Sequence, residues 1–88
     1  MENRIVIAEH GAPGVIGFQP FELAAPGTDE VTVRHTAIGV NFIDTYHRSG
    51  LYPVPLPGVL GLESAGVIEA TGSNVSGFRV GGRVCTFG

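Results

Sequence analysis

Residues 39–66 read GVNFIDTYHRSGLYPVPLPGVLGLESAG. The first third has the marks of a short helix. Asn41 suits an N-cap, and Asp44, three residues on, can reach back to the cap backbone. Arg48 falls near the C-terminus, where a cation complements the helix dipole, and Ser49-Gly50 ends the helix. Pro53, Pro55 and Pro57 then stiffen an extended loop over 51–57. The stretch thus gathers a carboxylate, two tyrosines (Tyr46 and Tyr52) and an arginine on one helical turn and the loop after it. A glycine-rich segment with a single carboxylate, Glu63, follows. Polar and aromatic groups collected between two strands suit the wall of a cleft.

Outward from this block, the chain reads as strands. Residues 4–9 are rich in isoleucine and valine, and 11–14 form a turn. Residues 15–23 are a weaker strand candidate, placed at an edge by Pro20. Residues 30–38 alternate Val31, Val33, His35 and Ala37 with Thr32, Arg34 and Thr36, which predicts a strand. Residues 63–71 predict another, with Gly66 at a bulge. Turns follow at 72–77 and 79–82, and residues 83–87 make a last strand. Fourteen glycines and six prolines in 88 residues agree with many short strands and turns. The expected fold is mainly β, a partly open barrel with one short helical segment. The last strand has no partner downstream, so its edge is open to self-association.

Composition removes several function classes. The formal net charge of −3 argues against nucleic acid, whose phosphates require clustered cations. All five cations are arginines, so no lysine is present to form a Schiff base. No apolar run approaches the ~20 residues that cross a bilayer, and the N-terminus lacks the apolar core of a signal peptide. Cys85 is the single cysteine, which excludes an internal disulfide and a thiolate metal site. In RVCTFG it reads as a small buried strand residue. These features suit a reducing cytoplasm. His10 and His35 read as a turn residue and a strand-face residue.

From Gly39 to Tyr52 the chain resembles the zeta-crystallin-like quinone oxidoreductases of the medium-chain dehydrogenase/reductase superfamily. The matching blocks are GVNFIDTYHRSGLYP, GLESAGVIEATGSNV and FRVGGRV. The first is specific; the other two are shared across the superfamily. The resemblance implies a GroES-like N-terminal domain over 1–88, incomplete, in an enzyme whose Rossmann domain holds NADPH and lies outside this chain. No G-x-G-x-x-G between a strand and a helix is present; Gly11, Gly14 and Gly17 have the wrong spacing. Zinc-dependent relatives carry a cysteine at the position of Asn41 and a histidine at that of Leu62, and neither residue here is a useful zinc ligand. The resemblance therefore implies a zinc-independent enzyme, a homodimer as a whole, reducing quinones or related α,β-unsaturated carbonyls with NADPH. The fragment alone is expected to be inactive. At Gly82 the chain departs from the superfamily's usual aspartate and loses a side-chain acceptor in that turn.

Each residue of the block has a plain structural role and a functional one. Asn41 is a cap, and by resemblance it lies at the nicotinamide end of the cofactor. Asp44 is the cap's partner, a polar contact at the cleft, or a weak candidate acid–base group. Tyr46 and Tyr52 are packing residues, or contacts to the cofactor ribose and a flat quinone. Arg48 is a helix-end charge or a ligand contact. Glu63 reads as a partly buried structural carboxylate held by partners. Two other readings stay open: a free-standing GroES-like self-association module, and an enoyl thioester reductase.

Overall fold

Alternation of β-branched residues with small or polar ones, broken by proline and glycine, yields six strands and one helix in the computed structural model. It describes residues 2–87. The strands are β1 (Glu2–Ile7), β2 (Ile16–Phe21), β3 (Val31–Gly39), β4 (Gly58–Val59), β5 (Glu63–Thr71) and β6 (Arg83–Phe87); helix α1 spans Phe42–Ser49. The mainly β class with one short helix therefore holds. The chain divides into two compact units: Met1–Leu23 with Val40–Leu62, and Ala24–Gly39 with Glu63–Gly88. Each contains an open three-stranded sheet.

In the first unit the order is β2-β1-β4. Strand β1 pairs antiparallel with β2 from Glu2↔Phe21 to Ile7↔Ile16, and with β4 at Val6↔Val59 and Ile7↔Gly58. The central position explains why Ile7 is completely buried. Pro20, which has no N–H to donate, sits in the edge strand β2 as its chemistry requires. Register brings Arg4 opposite Gln19, where Arg4 Nε donates to Gln19 Oε1 at 3.0 Å. The Arg4 guanidinium also lies 5.1 Å from the centre of the Phe21 ring.

β1 starts and ends two residues before the expected 4–9. Its ladder stops at Ile7↔Ile16 because residues 13–15 coil into a 3₁₀ turn that begins with Pro13. The two-residue β4 was not expected. It is too short for periodicity and exists only through its pairing with β1, including Leu60 N–H to Ile5 O at 3.2 Å.

In the second unit the order is β3-β5-β6, all antiparallel. Strands β5 and β6 have the expected bounds. The β3–β5 register shifts twice: between Thr32 and Val33, where β5 carries the extra residue Glu69, and between His35 and Ala37, where β3 carries the extra residue Thr36. Gly66 pairs with His35 beside the second shift. A methyl group there would run into the Arg34 carbonyl oxygen and come within 2.8 Å of Val33 Cγ1. This second irregularity thus lies on β3, and Gly66 is the close approach that accommodates it. Ile68 is 1% exposed and centres this unit as Ile7 centres the other. The 79–82 turn is held by backbone bonds, Gly82 N–H to Arg79 O and Gly81 N–H to Ile68 O, without the side-chain acceptor that Gly82 lacks.

Candidate functional site

Helix α1 and the loop after it follow directly from local chemistry. Asn41 is the N-cap, extended at φ −123° and ψ 159°, and Asp44 stands at N3 in a capping box. Asp44 Oδ2 accepts the Asn41 N–H at 2.9 Å, and the Asp44 N–H donates to the Asn41 carbonyl at 3.0 Å. Acid in the first turn and His47 and Arg48 in the last complement the dipole. Gly50 closes the helix in the left-handed region at φ 89°, with its N–H on the Tyr46 carbonyl. The Tyr52 N–H also reaches that carbonyl, at 3.2 Å.

This reversal brings the two tyrosines together. Their ring centres are 5.4 Å apart and the planes cross at 89°, an edge-to-face pair. Tyr52 is 54% exposed, and Val40 and Phe42 at the other end of the helix are more than four-fifths exposed. Asp44 contributes the most telling atom. Its Oδ1 is buried and has no hydrogen-bond partner among the described residues. A buried acceptor left open is costly unless something supplies a donor.

Arg48 has a nearer partner than any ligand. Its Nε donates to Gly11 O at 3.1 Å, and its own carbonyl accepts the Gly11 N–H at 2.9 Å. The helix end is thereby stitched to the first turn of the chain. His10, expected only as a turn residue, reaches further: its Nε2 accepts the Val54 N–H at 3.4 Å. Nothing in HGAPG signals that contact, because it spans 44 residues.

Two expectations need correction. Glu63 opens β5 and is exposed rather than partly buried. Its carboxylate is accommodated over Gly39, its register partner, where a side chain would collide with it; Glu63 is not without an interaction. Cys85 is exposed rather than buried. It lies on β6, last in its sheet, where Val84 takes the half-buried side and Cys85 the open one. Hollows of about 410 and 450 Å³ lie on the second unit, lined mainly by strand residues such as Ala37, Val33 and Val84. Asn41, Asp44, Tyr46 and Tyr52 belong to the first unit. Among the described residues no three His, Cys, Asp or Glu side chains form a group able to hold a metal ion, and no helix is long and apolar enough to cross a membrane.

Residues 27–87 match the family model of the alcohol dehydrogenase GroES-like domain. The chain belongs to this family. Within it, the chain is 55% identical over 85 residues to a quinone oxidoreductase of Pseudomonas aeruginosa, covering 96% of this chain and 26% of that protein. The Escherichia coli quinone oxidoreductase solved in complex with NADPH superposes with a TM-score of 0.93 at 47% identity, over 96% of this chain and 26% of that one. A 2-haloacrylate reductase from a Burkholderia species is 46% identical over 86 residues, again 26% of its length. The chain thus spans about a quarter of the length of these relatives. The GroES-like architecture and the medium-chain dehydrogenase/reductase resemblance both hold.

Proposed function

We propose that this chain is the GroES-like part of a zinc-independent, NADPH-dependent oxidoreductase that reduces quinones and related α,β-unsaturated carbonyls. The observation that carries the reading is the Asp44 carboxylate: one oxygen is spent on the helix cap and the other is buried and open. A ribose hydroxyl or a carboxamide N–H would satisfy that acceptor. With the tyrosine pair of the same helix and loop, the residues fit the ribose–nicotinamide end of a dinucleotide. Asn41 and Tyr46 hold that edge, and Tyr52 borders the slot for the acceptor. The prolines of the loop that carries Tyr52 limit the motion of the wall. NADPH, when bound, supplies the hydride. In this reading its phosphates are held by a Rossmann domain outside residues 1–88, and fluorescence titration of residues 1–88 alone is expected to show no NADPH binding at micromolar concentration.

Asn41 and Leu62 stand where zinc-dependent members of the superfamily place their ligands. A carboxamide and an alkyl group do not make a catalytic zinc site. An acceptor that no metal polarises must be electrophilic in itself, which selects quinones and conjugated carbonyls over alcohols. The similarity to a 2-haloacrylate reductase supports an activated alkene within that class.

The test is substrate class in the complete protein. NADPH consumption is expected with a benzoquinone or an enone, and no reduction of NADP⁺ with ethanol. Alcohol oxidation without quinone reduction would overturn the reading.

A further inference from the structure

We infer that His10 is a positioning residue that fixes the tyrosine loop against the end of helix α1. Contacts from three residues, Arg48, Gly50 and Val54, converge on the His10-Gly11 dipeptide. The Gly11 N–H and carbonyl clasp Arg48 at 2.9 and 3.1 Å, which ties the dipeptide to the last helical turn. The His10 ring packs against Gly50, where an added Cβ would stand 3.1 Å from His10 Cγ. His10 Nε2 then accepts the Val54 N–H, two residues beyond Tyr52. The imidazole is thus a spacer between the helix stop and the proline loop, and its ring nitrogen supplies the acceptor that this part of the loop uses.

The 3.4 Å contact is long and weak by itself. It gains from preorganisation, because the Arg48–Gly11 clasp fixes the adjoining backbone and Gly50 lies against the ring. Tyr52 is anchored at its own N–H to the Tyr46 carbonyl, so a second anchor at Val54 brackets the segment that presents its ring. A wall bracketed on both sides holds a flat acceptor in one orientation. The role assigned to His10 in catalysis rests on the reading of Tyr52 as the border of the quinone slot. The anchoring of the loop does not.

The experiment separates the two. His10→Phe keeps a flat ring against Gly50 but removes the acceptor; His10→Gln keeps an acceptor. Amide hydrogen exchange at Val54 is measured in the full chain for each, alongside the quinone KM and kcat of the complete protein. His10→Phe is expected to accelerate Val54 exchange about fivefold, in line with one lost hydrogen bond. It should raise the quinone KM several-fold with kcat little changed, and His10→Gln should restore both. Unchanged Val54 exchange in His10→Phe would sink the anchoring. Faster exchange with unchanged KM would sink the positioning role. A complete protein that reduces no quinone would refute the proposed function, leaving the exchange result to decide the anchoring. If His10→Phe does not fold, the exchange of Val54 in His10→Gln against His10→Ala decides the same point.

Discussion

At Asp44 the two carboxylate oxygens have different surroundings, and their contributions to stability oppose one another. Oδ2 holds the Asn41 N–H, an interaction of about 1 kcal/mol for a helix cap. Oδ1 is buried without a partner, at a cost of roughly 1–3 kcal/mol. Asp44→Ala removes both terms, so they offset, and a stability change within about 1 kcal/mol is expected by denaturant titration. In the complete protein the same change should weaken NADPH about tenfold, as loss of one buried charged acceptor does. A large loss of stability with an unchanged NADPH KM would make the carboxylate purely structural. Gly66 is the opposite case, a residue with no chemistry and no tolerance. A side chain there meets the Arg34 carbonyl, which cannot move without breaking the β3–β5 ladder. Gly66→Ala is expected to cost on the order of 3 kcal/mol, read as a shift in denaturation midpoint.

At the scale of elements, helix α1 depends on its ends. None of its eight residues is buried, so it gains little from a core and much from its caps. Gly50→Ala should cost about 1–2 kcal/mol, because the left-handed conformation is strained for alanine and His10 occupies the space. The Arg34–Glu69 ion pair is a contrast. It is short, 2.6 Å, but its side chains are 68% and 41% exposed. A double-mutant cycle should return less than about 1 kcal/mol of coupling, falling with salt.

These elements also explain what could be read from the chain. Asn41, Asp44 and Gly50 were legible because a cap, its N3 partner and a glycine stop act within ten residues of one another. The bounds of β5 and β6 were legible because turn residues bracket each apolar run. Strand β4, the His10–Val54 contact and the exposure of Glu63 and Cys85 were not. Each is decided by which distant strand lies alongside, and local pattern carries no record of it. The shift in β3 was half legible: Gly66 announced a close approach, but not which strand would yield.

For the molecule as a whole, the balance is set by two small cores. Ile7 and Ile68 are the buried hydrophobic side chains among the described residues, one for each unit. Phe18, Phe87, Ile38 and Val80 are all more than three-fifths exposed. A domain this size is marginal even when well packed, so the isolated chain is expected to bind a hydrophobic dye under native conditions. Cys85 should react fully with a thiol reagent without denaturant; protection until unfolding would show that another surface covers β6. In the proposed function Asn41 to Tyr52 form the wall of a redox cleft that works without metal. The most direct measurement is quinone reduction by the complete protein, with NADPH, before and after exhaustive dialysis against a chelator. An unchanged rate is the predicted result; a rate abolished by the chelator and restored by zinc would contradict it.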